Sequence, residues 1–173
     1  MRAPVYSIEG NWPGKLAIIP RPRGGDWLED EARAWKEAGL NVIVSLLEEG
    51  EAADLNLSAE AELSKAAGLE FISFPVVDRS LPASRTATQT LLKDLSRLLA
   101  SGKNIGVHCR QGIGRSALIT TSLLVLSGLS PELAFQRVGA ARGCEVPETP
   151  EQRDWVIALG KDAAIAATAS LTK

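Results

Sequence analysis

The chain has 173 residues, 45% of them hydrophobic and 23% charged, which suits one globular domain spanning 1–173 with a core of its own. A formal charge of −2 argues against the broad basic face that nucleic acid or an anionic membrane surface would require. Two cysteines, Cys109 and Cys144, cannot build a disulfide framework. No run reaches the ~20 apolar residues of a membrane span, and the first dozen residues lack a signal-peptide pattern, so a reducing cytoplasm is the expected setting.

Short β-like runs alternate with helical patterns, which predicts an α/β fold with a central, mostly parallel, twisted sheet of four to five strands flanked by helices. Leu16 to Pro20 is a brief apolar run, followed by turn-rich Arg21 to Gly25. Asp26 then reads as an N-cap, with Glu29 three residues on and Trp27, Leu28, Ala32 and Trp35 on one helical face, and Gly39 is the expected stop. Asn41 to Leu47 is rich in β-branched residues and reads as a buried strand. The acidic stretch Glu48 to Glu51 after it, continuing to Asp54, reads as an exposed loop.

A helix is expected over Ala59 to Ala67, and Leu69 to Phe74 alternates apolar and polar residues before Pro75, as a strand feeding a loop that runs to Ser84. Leu91, Leu92, Leu95, Leu98 and Leu99 form one wide apolar helix face. Asn104 to His108 is a further short strand, and Ala117 to Leu126 an apolar helix. Ser130-Pro131 and Thr149-Pro150 each place an N-cap before a proline at the first helical position. The alanine-rich tail after Gly160 is expected to fray, and Trp12, Trp27, Trp35 and Trp155 to anchor the core or an interface.

The chemistry concentrates in nine residues, His108-Cys109-Arg110-Gln111-Gly112-Ile113-Gly114-Arg115-Ser116, set between a predicted strand and a predicted helix. A thiol attacks phosphorus only as thiolate, and a helix N-terminus amid converging backbone amides favours that form. Gly112 and Gly114 let the loop from Arg110 to Gly114 curl so that its N–H groups form an anion nest. Arg115 closes the ring, because its planar fork holds two phosphate oxygens at once and lysine would not do so equally well. Ser116 is placed to donate to the Cys109 sulfur, and His108 to tie the loop to its surroundings.

This segment resembles the H-C-x5-R-S/T signature of cysteine-dependent protein tyrosine and dual-specificity phosphatases, and the likeness runs from about Leu40 to Val156, nearest to small kinase-associated and bacterial members. The resemblance implies a phosphotyrosine protein phosphatase-like fold with no metal and no cofactor, acting on phosphorylated protein or peptide. It also implies a phosphocysteine intermediate and an upstream general acid. Phe74-Pro75-Val76-Val77-Asp78 resembles the family's P-x-x-D segment, which makes Asp78, 31 positions before Cys109, that acid. Glu148 to Gln152 resembles the segment whose glutamine positions the hydrolytic water; Thr149-x-x-Gln152 equally satisfies a capping box, so Gln152 has two readings.

Ala117 departs from the glycine many members carry, and the long N-terminal segment that deepens the pocket of larger tyrosine-specific relatives is lacking, so serine, threonine, phosphoinositide and RNA 5'-phosphate esters stay open as substrates. Two other classes compete: a phosphate-recognition module without turnover, and a rhodanese-like sulfur transferase, which has no use for an Asp78 and Arg115 pairing. Arg79, Arg85 and Arg110 are candidates for a basic rim, and Cys144 for a passive thiol.

Overall fold

The computed structural model describes residues 3–171. Five strands form one sheet: β1 (Tyr6–Ile8), β2 (Leu16–Ile18), β3 (Val42–Ser45), β4 (Glu70–Ser73) and β5 (Ile105–His108), in the order β1-β2-β5-β3-β4. β1 lies antiparallel to β2, and every other pairing is parallel. The helices are α1 (Leu28–Glu37), α2 (Glu49–Asp54), α3 (Glu60–Ala66), α4 (Arg85–Ala100), α5 (Arg115–Leu126), α6 (Pro131–Arg142) and α7 (Pro150–Leu171). The expected α/β architecture with a mostly parallel sheet is the one observed.

β5 sits at the centre because all four of its residues are buried, with β2 on one side and β3 on the other. Its side chains alternate between two cores. Ile105 and Val107 face the larger one, built by Leu92, Leu95 and Leu99 of α4 together with α5, α6 and α7. Gly106 and His108 face the smaller one, where Trp35 of α1 packs with Ile19, Leu40 and Ile43, and the His108 ring lies 6.1 Å from that of Trp35. A Cβ on Gly106 would stand 2.9 Å from Leu40 Cδ1 and 3.0 Å from Ile19 Cδ1, so this core closes tightly over the strand.

α5 is buried along nearly its whole length, from Arg115 to Val125. Its polar residues are accommodated by hydroxyls donating back to the helix: Thr120 to the Ser116 carbonyl at 2.9 Å, Thr121 to that of Ala117 at 2.6 Å and Ser122 to that of Leu118 at 2.6 Å. A central strand running into a helix buried from Arg115 to Val125 leaves the connecting loop, residues 109–114, between two rigid supports.

Three expectations are corrected here. Glu48 to Glu51 is not an exposed loop: Glu48 and Glu51 form a reciprocal capping box that starts α2, which makes the acidic stretch helical. Asp26 does not cap α1; it lies within a 3-10 turn, Gly25–Trp27, and Trp27 occupies the cap position. Trp27 is 54% exposed, with Arg23 stacked on its ring, and so it anchors no core. β1, a three-residue edge strand, carries no readable periodicity, and α7 continues as helix through the alanine-rich stretch.

The packing predicts a contrast between two leucines. Leu92→Ala, at a fully buried site, lowers stability by about 2–5 kcal/mol, read as a lower denaturant midpoint at unchanged slope. Leu126→Ala, at a site 41% exposed, stays within about 0.5 kcal/mol of the parent; equal losses at both sites would contradict the assignment of the core.

Candidate active site

The loop between β5 and α5 begins at Cys109, which is 3% exposed. The Gly112 N–H donates to Cys109 Sγ at 3.2 Å. Gly112 adopts a φ of 72°, a left-handed conformation that favours glycine, and its turn reverses the direction of the neighbouring peptides. The carbonyls of Gly112 and Gln111 point outward, where the guanidinium of Arg142 at the end of α6 donates to them at 2.8 and 3.2 Å. That guanidinium is itself stacked 4.1 Å above the Tyr6 ring on β1. Holding carbonyls outward leaves amides facing inward, the arrangement of an anion nest.

Arg115, the first residue of α5, is 1% exposed. Its guanidinium meets Glu51 of α2 through both terminal nitrogens, Nη1 to Oε2 at 2.6 Å and Nη2 to Oε1 at 3.0 Å. Nη1 also donates to the Val76 carbonyl at 2.9 Å, and Nη2 lies 2.9 Å from Asp78 Oδ1. Burial alone would lower the guanidinium's pKa; the hydrogen bond to Glu51, with the charges of Cys109, Glu51 and Asp78, outweighs it and raises it. The Arg115 hydrogen bond in turn holds the Glu51 carboxyl below its ordinary value of 4.5, against the opposing effect of burial. Nε of Arg115 is buried and has no hydrogen-bond partner among the described residues.

Asp78 is 52% exposed and stands at the mouth of this arrangement, contacting Arg115 from the loop after β4. That loop is fastened at both ends. The Val76 N–H donates to the Leu46 carbonyl at 3.1 Å, Gln152 Nε2 donates to the Ser80 carbonyl at 3.2 Å, and Arg79 lies 3.2 Å from Glu148. Gln152 is fully buried and also makes the capping box, its Oε1 accepting from Thr149 N at 3.3 Å while its own N–H donates to Thr149 Oγ1 at 3.2 Å. It approaches the cysteine loop as well, since a Cβ on Gly114 would stand 3.3 Å from its Oε1.

His108 is fully buried beneath the loop, with Nε2 2.7 Å from Glu60 Oε1 on α3, a close polar contact whose angles fall outside hydrogen-bond geometry. The Ser116 hydroxyl is buried without a partner among the described residues. Arg110 and Gln111 are exposed, and Ile113 is half-buried against the larger core. Arg85 pairs with Asp162, away from the loop, and Cys144 is exposed and free.

Three contributors escaped the reading of the sequence. Glu51 is held 64 positions from its partner Arg115, and its acidic neighbours read as a solvated surface; the Glu48 and Glu51 spacing was the available sign of a helix start. Glu60 stands in the first turn of α3, a place where exposed carboxylates are common, and only the fold turns it inward. Arg142, before Gly143, reads as an ordinary basic residue at a helix end.

Glu51→Gln leaves the buried Arg115 guanidinium without the charge of its half-buried partner and lowers stability by roughly 2 kcal/mol or more at neutral pH. Because the folded-state carboxyl titrates below its unfolded value, its contribution is complete above about pH 4.5 and is lost as pH falls through the folded value. Denaturation midpoints measured downward from pH 6 therefore fall more steeply for the parent than for the variant; parallel profiles would contradict the pairing.

The architecture matches solved structures over almost the whole chain. Kinase associated phosphatase (KAP), with its catalytic-site cysteine replaced by serine, superposes with a TM-score of 0.86 at 18% identity, covering 95% of this chain and 97% of that one. Tk-PTP in its active form gives 0.72 at 25% identity, covering 90% and 97%. PTPMT1 in complex with PI(5)P gives 0.74 at 21% identity, covering 88% and 94%. No curated protein sequence matches the chain significantly. The family described as "Polymorphic toxin system, DSP-PTPase phosphatase" matches residues 19–129, which contain the aspartate loop, the cysteine loop and the whole of α5. The chain belongs to this DSP-PTPase phosphatase family.

Proposed function

We propose that the protein hydrolyses phosphotyrosine-type monoesters in proteins or peptides through a phosphocysteine intermediate, with serine and threonine esters as further substrates. The observation that carries this reading is the division of labour on Arg115. Glu51 takes both terminal nitrogens end-on, and Nε, buried and without a partner among the described residues, is left on the side of the guanidinium together with the hydrogen of Nη2 that Asp78 contacts. Nε and Nη2 form a two-pronged donor of the spacing that phosphate oxygens accept.

In this mechanism the phosphoryl group enters the cup of loop amides, and two of its oxygens take Nε and Nη2 of Arg115 in place of the Asp78 carboxylate. The Cys109 thiolate attacks phosphorus in line, the ester P–O bond breaks, and Asp78 delivers a proton to the departing oxygen. Water then attacks the phosphocysteine, Asp78 takes up its proton, and the P–S bond breaks to release inorganic phosphate and restore the thiolate. The Gly112 N–H, 3.2 Å from the sulfur, and the Ser116 hydroxyl stabilise the sulfur anion whenever it leaves. His108, buried beside Glu60, steadies the loop from below. Gln152 orients the water as well as capping α7, since its buried amide already lies beside Gly114 and the aspartate loop.

Two measurements test the proposal. Cys109→Ser abolishes hydrolysis of an aryl phosphate in metal-free buffer, and acid quenching of the parent traps label on Cys109; activity that survives the substitution, or that needs an added divalent metal, defeats the reading. Asp78→Asn lowers kcat by about a hundredfold with little change in KM, and an unaltered kcat would assign the proton to another group.

A further inference from the structure

Asp78 loses its tether at the moment it is needed. Its side chain is 52% exposed, and its ion partner is Nη2 of Arg115 at 2.9 Å, the donor that a bound phosphoryl group takes over in the mechanism above. The leaving oxygen must then be met within hydrogen-bond reach, about 3 Å, by a carboxyl that Arg115 no longer holds. Another contact has to keep it in place.

The next residue supplies one. Among the described residues two that are not glycine adopt a positive φ, Asn56 at 55° and Arg79 at 58°. Asparagine tolerates that left-handed region, whereas an arginine stays there only when its surroundings hold it. The Ser80 N–H donates to the Val77 carbonyl at 3.0 Å, which makes Asp78 and Arg79 the two central residues of a tight turn. From this turn the Arg79 guanidinium meets Glu148 Oε1 at 3.2 Å. Glu148 in turn packs on the cysteine loop, where a Cβ on Gly114 would stand 2.9 Å from its Oε2 and 3.3 Å from its Cβ. Asp78 is thus connected to the cup through Arg79 and Glu148, by a route that uses no group displaced by phosphate.

An ion pair whose side chains are 66% and 26% exposed contributes little to folding. Its effect lies in orientation, because a reacting group misplaced by about 1 Å works far less well. Gln152, from the same segment as Glu148, donates to the Ser80 carbonyl at 3.2 Å, so both residues that follow Asp78 are pinned from one side.

We infer that Arg79 and Glu148 are positioning residues for proton transfer: their ion pair keeps the Asp78 carboxyl over the ester oxygen after phosphate has displaced it from Arg115. This rests on the function proposed above and deepens it. As the Cys109 thiolate bonds to phosphorus and the ester P–O bond breaks, the Asp78 proton passes to the departing oxygen and Asp78 is left as carboxylate. Arg79 and Glu148 themselves neither give nor take a proton.

The test compares two esters in metal-free buffer. Phenyl phosphate expels a basic phenolate that needs the proton, and 4-nitrophenyl phosphate a weakly basic one that departs largely unaided; kcat/KM reports formation of the phosphocysteine for both. Arg79→Ala and Glu148→Gln each lower kcat/KM for phenyl phosphate by about tenfold and for 4-nitrophenyl phosphate by no more than about twofold. Arg79→Lys, and Arg79→Glu combined with Glu148→Arg, return phenyl phosphate to within about threefold of the parent. In an Asp78→Asn background Arg79→Ala changes neither ester by more than about twofold, because the group it positions is already gone.

Losses equal for the two esters assign Arg79 to attracting the substrate and overturn the inference, as do additive losses in the Asp78→Asn background. Should Arg79→Ala disturb the cup, seen as an altered rate of Cys109 alkylation by iodoacetate, Arg79→Lys and Glu148→Gln carry the decision. The two readings fail separately. A parent inert toward both esters removes the proposed function and this inference with it, whereas Cys109-dependent turnover with variants blind to the leaving group removes the inference alone.

Discussion

A guanidinium placed almost wholly out of water is the constraint around which this structure is arranged. An unpaired charge in that position would cost several kcal/mol, so Arg115 must be surrounded by acceptors before the fold closes. Those acceptors come from separate parts of the chain: Glu51 from α2, the Val76 carbonyl and Asp78 from the loop after β4, and the Leu46 carbonyl, more distant at 3.4 Å, from the end of β3. Satisfying one side chain thus brings the aspartate loop, the acidic helix and the cysteine loop to a common point. Stability and the geometry of the site are coupled through the same four contacts.

The sheet explains why that point lies where it does. β5 is flanked on both sides by parallel strands, and the residues just beyond the strands continue the pairing, Ile19 N–H to the Val107 carbonyl at 3.0 Å and Leu46 N–H to the His108 carbonyl at 3.0 Å. The carboxyl end of β5 is therefore rigid up to the cysteine. Ligand sites of open α/β sheets gather at such ends. The alternation of a strand then sends His108 to the Trp35 side of the sheet and leaves Cys109 at the start of the loop, which gives the histidine a supporting position under the cup and not a place inside it.

Much of this was legible beforehand, and the exceptions have a common cause. The α4 leucines, the β-branched run of β3 and the glycine-punctuated loop are local patterns, and local patterns survive in a linear reading. The cysteine, the arginine and the aspartate were marked by their spacing and by the resemblance that the spacing supported. Glu51, Glu60 and Arg142 were not, because each acquires its significance from a partner 64, 48 or 30 positions away, and nothing in the surrounding residues differs from a solvated helix surface. Trp27 shows the converse: a large aromatic at helical spacing reads as an anchor of the core or of an interface, yet the chain enters α1 through a 3-10 turn that leaves it outside the core, where Arg23 covers one face. For Gln152 the capping reading is the one observed, and the same amide also holds the Ser80 carbonyl of the aspartate loop.

Arg142 holds the outer wall of the cysteine loop. A guanidinium has five N–H donors in one rigid plane, and two of them are spent side by side on the carbonyls of Gln111 and Gly112 while its face lies on Tyr6. The ring on β1 keeps the guanidinium in the plane that the two carbonyls require, so α6, β1 and the loop are fixed to one another through a single side chain. The cup's inward-facing amides depend on those carbonyls staying outward, so a residue behind the loop maintains the shape in front of it. A lysine in this place, with its single point of charge, could not hold both carbonyls from one plane.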